Sequence, residues 1–168
     1  MTNRCTAQAG QHGKWRTMVS ETVEVAFRWR LLGEVTFDGL GKLLFPQASA
    51  APGVYRLEVD DDQASVYFGE ATDLHQRFGR YRNAGQRQPT NIRIQELLCR
   101  VLSAGGRCRV SVAEILTFQT GRSGARLDLR LKAARVLIES AAIVLARNNG
   151  MRSVLNLDPA FDRSLGGR

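Results

Sequence analysis

Two short apolar strands that each deliver a tyrosine constrain this chain more than any other feature. Residues 53–59 form a short, mainly apolar run that carries Tyr55, and residues 64–69 form a second run that carries Tyr67. A polar stretch at residues 60–63 separates the two runs, so they are predicted to pair as an antiparallel β-hairpin. The hairpin therefore brings two phenol side chains to neighbouring strands.

Glycines accompany both tyrosines within this hairpin. Because side chains at i and i+2 share one face of a strand, Tyr55 shares its face with Gly53, and Tyr67 shares its face with Gly69. A glycine inside a strand marks a place where another group approaches the backbone closely. We therefore expect these glycines to leave room beside the tyrosines for a ligand such as a phosphate.

A capped helix follows the hairpin directly. Asp73, with Gln76 three residues later, matches a capping box and predicts a helix over about residues 74–81. Arg77 lies about one turn into that helix and can point back over the sheet. Tyr81 follows at i+4, on the same side of the helix. A guanidinium placed beside phenols favours their ionised form, which would be scarce otherwise.

The periodicity of the remaining chain predicts four further elements. They are a strand within residues 23–37, a helix from Asn91 to Gly105, a third core strand over residues 108–116, and a long helix from Gly124 to Gly150. A short sheet flanked by several helices is an α+β fold. We predict a small three-stranded antiparallel core sheet, with the N-terminal extension as a candidate for one more strand.

Length and composition set the domain organisation and the compartment. With 168 residues the chain suits one domain, which we place at residues 51–158, after a flexible tail at 1–18 and an extension at 19–50. Residues 159–168 are expected to form a C-terminal tail. The sequence has neither an apolar run long enough to span a membrane nor a secretory signal, which favours the cytoplasm. The odd number of cysteines, 3, predicts free thiols.

Positive charge is concentrated in one part of the chain. The net charge is +8, and residues 73–135 alone carry 13 basic and 4 acidic side chains, with arginine at 12 of the 13 basic positions. Such a cluster is either a solvated basic face or a surface for a polyanion, and arginine suits forked contacts with phosphate. The candidate nucleic-acid contacts are Arg80, Arg82, Arg87, Arg93 and Arg100.

The ordered motifs resemble those of the GIY-YIG nuclease family. The family is named after two strand motifs, which appear here as Gly-Val-Tyr from Gly53 and Tyr-Phe-Gly from Tyr67. The segment that leads to Arg77 resembles the stretch before the family's catalytic arginine, and Tyr81 falls where some members carry a second tyrosine or a histidine. The resemblance covers residues 52–157. It implies metal-dependent cleavage of a nucleic-acid phosphodiester. The sequence itself does not distinguish DNA from RNA, and we expect DNA before RNA as the substrate.

One acidic residue in the last long helix is a candidate metal ligand. Glu139 interrupts an apolar stretch, and a buried carboxylate must be paired or bind a cation. The sequence leaves two options open, an ion pair with Arg135 one turn earlier or a metal site. The resemblance implies that Glu139 holds Mg²⁺ or Mn²⁺, and that Asn156 corresponds to the family's asparagine after that helix.

The predicted activity is hydrolysis by water in line with the leaving oxygen. Tyr55 would act as the base, Tyr67 and Arg77 would orient the water and the phosphate, and Glu139 would hold the metal. One rival hypothesis is a nucleic-acid-binding module that keeps the fold and does not cut. Another is a basic face that contacts an acidic partner protein. The oligomeric state stays open.

Overall fold

A computed structural model describes residues 22–60, 64–120, 123–124, 127–150 and 153–157. The two predicted tails, at residues 1–18 and 159–168, lie outside the described residues. So does most of the predicted polar turn, at residues 61–63. None of the helices within the described ranges is both long and apolar enough to cross a bilayer.

The described residues form strands, three α-helices and a short 3₁₀ turn. In chain order the elements are β1 (Val23–Phe37), β2 (Leu43–Leu44), β3 (Gly53–Asp60), β4 (Ser65–Ala71), α1 (Leu74–Arg82), α2 (Pro89–Ser103), β5 (Arg107–Thr120), β6 (Ser123–Gly124), α3 (Lys132–Asn148), β7 (Ser153–Val154) and the 3₁₀ turn (Leu155–Leu157).

The fold is α+β, as predicted, but its sheet is larger than the predicted three strands. The sheet has seven strands in the order β2-β1-β5-β3-β4-β7, with β6 paired to β5. Its centre is the expected antiparallel trio of β4, β3 and β5, and β7 adds to β4 in parallel. The extension contributes both β1 and β2. The prediction of a small sheet was wrong because β1 pairs along nearly all of β5, from Val23↔Thr120 to Val35↔Cys108.

The first helix begins where the sequence predicts. Asp73 is the N-cap of α1, and one of its carboxylate oxygens accepts a hydrogen bond from the backbone N–H of Gln76 at 2.8 Å. The second helix begins two residues before Asn91, at Pro89. Proline suits the first position of a helix because the N–H that it lacks would have no partner there.

The third helix begins later than predicted. Gly124 pairs with Gln119 in β6, and α3 starts only at Lys132. Ahead of the helix, the Asp128 carboxylate accepts a hydrogen bond from the backbone N–H of Arg130 at 3.0 Å, which closes a turn. A local side-chain bond of this kind competes with helix formation and accounts for the delayed start.

Helices cover both faces of the central strands. One face packs against α1 and α2, and the side chains at its centre are Tyr55, Leu57, Tyr67, Phe78 and Leu98. The opposite face packs against α3 through Val66, Phe68, Ala142 and Ala146. The free thiols of Cys99 and Cys108 agree with the cysteine prediction, whereas Cys5 is outside the described residues.

Candidate active site

The register of the hairpin puts both motif tyrosines on the face covered by α1. Tyr55 lies opposite Gly69, and Leu57 lies opposite Tyr67. A Cβ atom added at Gly69 would lie 2.3 Å from the Tyr55 Oη, so the Tyr55 ring crosses β4 where the glycine has no side chain. The space that the sequence suggested for a phosphate at Gly69 is thus filled by the ring. Gly53 serves packing as well, because a Cβ there would lie 2.9 Å from the Leu74 Cδ1.

Arg77 is the centre of the cluster. Its Nε donates to the Tyr55 Oη at 2.9 Å, and its Nη1 donates to the Asn91 Oδ1 at 3.1 Å. Its guanidinium carbon also lies 4.7 Å from the centroid of the Tyr81 ring, which is a cation–π contact. Three elements, namely β3, α1 and α2, therefore fix the position of one cation.

Two of the tyrosines lie behind Arg77, away from solvent. The Oη atoms of Tyr55 and Tyr81 are 2.5 Å apart, and both side chains are 0% exposed. Phe78 packs edge-on against the Tyr55 ring, with ring centroids 5.3 Å apart, and Phe45 stacks on Phe78. This aromatic layer excludes water from the inner part of the cluster.

Burial raises the pKa of both inner phenols. The pKa of Tyr55 lies above its ordinary value because of burial and the nearby Tyr67, and Arg77 opposes the rise. The pKa of Tyr81 is raised well above 10.0 by burial and by the other two tyrosines. Burial would lower the pKa of Arg77, but Tyr55 and Tyr81 reverse that effect and raise it. Neutral phenols beside a permanent cation are therefore the ground state.

Tyr67 is the tyrosine that borders solvent. It is 7% exposed, compared with 0% for Tyr55 and Tyr81. Burial raises its pKa above 10.0, and the charge of Glu139 adds to the rise, whereas Arg77 and a hydrogen bond with Tyr81 lower it. Tyr67 thus connects the buried phenols with the carboxylate on α3.

Glu139 reaches this cluster from the opposite layer. It is half-buried, and its pKa is raised by burial and by the like charge of Glu70, while Arg77 lowers it. Arg135 does not neutralise it, because the Arg135 Nε donates to the Glu70 Oε2 at 2.5 Å. The same buried guanidinium also binds the carbonyl oxygens of Leu129 and Arg130. Of the two options left open by the sequence, the ion pair with Arg135 is therefore wrong.

The residues at this point fit a hard divalent cation. Mg²⁺ usually takes one or two carboxylates and completes its shell with waters and substrate phosphates. Glu139 supplies one such carboxylate, in a position where like charge and burial destabilise its ionised form. The described ranges contain no cluster of three or more histidine, cysteine, aspartate or glutamate side chains that would form an all-protein metal cage. A substrate-completed site with Glu139 as its protein ligand matches this donor set.

Asn156 binds the backbone of β4 beside Tyr67. Its Oδ1 accepts from the Phe68 N–H at 2.8 Å, and its Nδ2 donates to the Phe68 carbonyl at 2.9 Å. Both polar atoms of the Asn156 amide are thus hydrogen-bonded to Phe68, the residue that follows Tyr67. The contact of Asn156 with the site is therefore indirect, through the strand that carries Tyr67.

The basic segment divides into paired and exposed cations. The Arg82 Nη2 binds the Asp38 Oδ2 at 2.5 Å, so one predicted nucleic-acid contact is already in an ion pair. Arg80, Arg87 and Arg100 are exposed, and Arg93 is half-buried. Four further cations of the segment contact carboxylates, and the pairs are Arg107–Glu34, Arg109–Glu58, Arg130–Asp128 and Arg135–Glu70.

The sequence reasoning missed one polar residue of the cluster. Asn91 is 5% exposed and accepts from Arg77, and its Nδ2 donates to the Gln88 Oε1 at 2.6 Å. A signal was present in the pattern of α2, because Asn91 occupies the same buried stripe as Ile94, Leu98 and Val101. A polar side chain on an apolar stripe must find a partner, and here the partner is the central arginine.

Comparisons with known proteins give a fold similarity. No protein-family model matches this sequence, and no curated protein does. Among solved structures, a mutant of EndoII from bacteriophage T4 is similar, with a TM-score of 0.49 and 17% sequence identity. The alignment covers 71% of this chain and 88% of that chain. A similarity at this level concerns the fold and carries no argument about activity.

Proposed function

We propose that this protein is a metal-dependent endonuclease that hydrolyses phosphodiester bonds of nucleic acid, with DNA as its preferred substrate. The observation that supports this proposal is the cluster around Arg77, which gathers three tyrosines and a carboxylate from four elements. The partners that orient Arg77 are phenols and an amide, which are neutral and leave its charge intact. A guanidinium that is held in place by neutral hydrogen-bond partners suits a phosphate.

The proposed reaction divides the work between the outer and the inner side chains. Arg77 binds the scissile phosphate and offsets the negative charge that grows in the transition state. Tyr67, which borders solvent, orients the attacking water and takes part in removing its proton. Tyr55 and Tyr81 hold Arg77 from behind and extend the hydrogen-bonded chain. This division moves the proton-accepting role from Tyr55, which is fully buried, to Tyr67.

Glu139 completes the proposed site as the metal ligand. It would hold Mg²⁺ or Mn²⁺ through its carboxylate, with the substrate phosphate and waters as the other ligands. The ion supplies charge stabilisation at the leaving oxygen when it is bound. Asn156 supports the site by holding the backbone at Phe68, next to Tyr67.

The substrate would extend along the exposed cations of α1, α2 and the loop between them. Arg80, Arg87 and Arg100 are exposed and carry no carboxylate partner in the described contacts. Arg93 lies between them on α2 and is the fourth candidate contact. Arg82 contributes only where its ion pair with Asp38 opens. Backbone contacts of this kind position a nucleic acid without reading its sequence.

A cleavage assay with matched variants tests the proposal. Purified protein is incubated with supercoiled plasmid and with a structured RNA, each in Mg²⁺, in Mn²⁺ and in excess chelator. We expect nicked or linear plasmid with either ion and intact plasmid with chelator. Arg77→Ala should abolish the cleavage. Arg107→Ala should retain it, because Arg107 pairs with Glu34 and lies opposite Asp60, at the far end of β3.

The same assay separates the rival hypothesis. Salt-dependent binding of DNA without cleavage under any of these conditions would identify a binding module that keeps the fold. Cleavage that survives in excess chelator would contradict the metal dependence. Cleavage by Arg77→Ala at the wild-type rate would remove the central arginine from the reaction.

A further inference from the structure

We propose that Asn91 is a positioning residue that fixes the orientation of the Arg77 guanidinium, and that Gln88 in turn fixes Asn91. The inference rests on the proposed function, since the orientation of Arg77 affects turnover only where Arg77 contacts the reacting phosphate. Asn91 would act without touching the substrate.

The location of Asn91 makes it an unusual polar residue. It lies in the first turn of α2, on the buried stripe of that helix, and is 5% exposed. Asparagine has poor helix propensity, and a buried amide without partners destabilises a protein. A leucine at this position would continue the apolar stripe. The amide is therefore explained by its hydrogen bonds and not by packing.

The chemistry of the two neighbours fixes how the amide is turned. A guanidinium has only donors, so the group that faces Arg77 must be the amide oxygen. The Oδ1 accepts from the Arg77 Nη1 at 3.1 Å, which leaves Nδ2 to donate to the Gln88 Oε1 at 2.6 Å. The Gln88 amide thereby holds Asn91 in the orientation in which it accepts from the arginine.

Hydrogen bonds at different nitrogens orient Arg77. The Tyr55 Oη accepts a hydrogen bond from the Arg77 Nε at 2.9 Å, and the Asn91 Oδ1 accepts one from the Arg77 Nη1. Tyr67 is a further hydrogen-bond partner of the guanidinium, and Asn91 is the partner that ties it to α2. The Tyr81 ring, 4.7 Å from the guanidinium carbon, supports one face of the guanidinium.

A neutral amide suits this task better than a carboxylate. An aspartate at position 91 would accept the same hydrogen bond, but its charge would offset that of Arg77. The positive field offered to a phosphate would then decrease. Asparagine orients the cation and leaves its charge available. If the residue only had to accept the hydrogen bond from Arg77, a carboxylate would serve as well.

The first test measures the arginine directly and does not depend on cleavage. The rate of rotation about the guanidinium bonds of Arg77 is measured by nitrogen-15 NMR in wild-type protein, with Arg77→Lys to assign the resonance. We expect Asn91→Leu to accelerate the rotation at least about tenfold. The control is Gln95→Leu, which removes another α2 hydrogen bond, to the Arg82 carbonyl at 2.8 Å, and should leave the rotation unchanged.

The second test compares turnover in the same variants. A misplaced catalytic group costs about 100-fold in rate, so Asn91→Leu should lower kcat by that factor with KM within about twofold. Asn91→Asp should restore slow rotation of Arg77 and still show reduced kcat. Gln95→Leu should leave kcat unchanged, since it weakens only the packing of α1 on α2.

The outcomes separate this inference from the proposed function. Unchanged rotation in Asn91→Leu overturns the inference, whether or not the protein cuts nucleic acid. Faster rotation with unaltered kcat in an active enzyme overturns it too, as does an equal loss of kcat in Gln95→Leu. Absence of cleavage in the wild type refutes the proposed function alone, and the NMR result then still decides whether Asn91 orients Arg77.

Discussion

The hydroxyl oxygens of Tyr55 and Tyr81 lie 2.5 Å apart, in a part of the protein from which solvent is excluded. One phenol comes from β3 and the other from α1, so this bond joins the sheet to the helix that carries Arg77. Because Tyr55 also accepts from the Arg77 Nε, the two hydroxyls and the guanidinium form one connected group. A change at any of the three is transmitted to the other two.

Removing the hydroxyl of Tyr55 should affect both stability and turnover. Tyr55→Phe leaves the Arg77 Nε and the Tyr81 Oη without their shared partner, which should lower the free energy of unfolding by about 1–3 kcal/mol. Turnover should fall by about 100-fold with little change in substrate affinity. Tyr81→Phe is the comparison, because its ring still supports Arg77 and its activity loss should be smaller. Equal activity losses would show that the hydroxyl pair, and not the contact with Arg77, matters.

Glu139→Gln should abolish metal-dependent cleavage and stabilise the fold at neutral pH. The folded-state pKa of Glu139 is raised, so the folded protein holds this proton more tightly than the unfolded chain does. The stabilisation from that proton is fully present at pH values below the ordinary glutamate pKa of 4.5. It is lost as the pH rises through the raised pKa of Glu139 in the folded protein. Metal-free urea unfolding should therefore show a more stable variant at pH 7 and no difference at pH 4.

A matched variant controls for general effects of removing a carboxylate. Glu96 lies exposed on α2, and Glu96→Gln should change neither the unfolding midpoint nor the cleavage rate. If Glu139→Gln keeps full activity while its circular dichroism is unchanged, Glu139 is not the metal ligand.

The cleavage rate should rise with pH through neutrality. The pKa of Tyr67 is raised above 10.0 by burial, and the form that accepts a proton is the phenolate. Its fraction increases about tenfold per pH unit below the pKa, so log kcat should rise with a slope near one and without a plateau below about pH 10. Single-turnover rates from pH 6 to 9.5 measure this. Tyr67→Phe should flatten the dependence of log kcat on pH. A plateau of the wild-type rate already at pH 6 would instead point to a carboxylate as the base.

A methyl group at Gly69 should disrupt the site by displacing the Tyr55 ring. The added Cβ would lie 2.3 Å from the Tyr55 Oη, so the ring must move and lose its bonds to Tyr81 and Arg77. We expect Gly69→Ala to lower the free energy of unfolding by about 1–3 kcal/mol or more. Gly79→Ala is the control, since no atom lies within 4 Å of its added Cβ, and it should stabilise α1 by about 0.5–1 kcal/mol. Thermal unfolding of both variants checks the difference in sign.

The exposed arginines should set the salt dependence of DNA binding. Replacing Arg87, Arg93 and Arg100 together with alanine should weaken binding across sequences and flatten the plot of log affinity against log salt concentration. The expected change in slope is about 0.9 for each duplex phosphate that the variant no longer neutralises. Arg107→Ala, which removes a cation already paired with Glu34, should leave the slope as it is. An unchanged slope in the triple variant would place the nucleic acid elsewhere.

Local patterns predicted the parts of the structure that local physics determines. The hairpin of β3 and β4 and the start of α1 at Asp73 follow from two apolar runs, a polar turn and a cap, all within about 30 residues. The pairing of β1 with β5 was not predictable in this way, because its partners, such as Arg28 and Glu114, are 86 residues apart. The alternation of apolar and polar residues in either strand does not indicate which strand it pairs with.

The site shows the same division. Helical spacing made Arg135 a plausible partner for Glu139, one turn away, but packing brought Glu70 of the sheet to Arg135 instead. Glu70 is 65 residues away from Arg135 in the sequence, and only folding brings it close enough to compete with Glu139 for that guanidinium. The link from Arg77 to Asn91 likewise joins two helices whose relative placement the sequence does not state.

The ring of Tyr55 over Gly69 ties together two positions that look independent in the sequence. Glycine can be exchanged for a larger residue only if the tyrosine is lost first or with it, and the tyrosine ring fits only while glycine remains. Positions 55 and 69 should therefore change together in sequences that descend from this one. A related sequence that keeps only one of the two residues no longer has the contact of the Tyr55 ring with Gly69 that accounts for both.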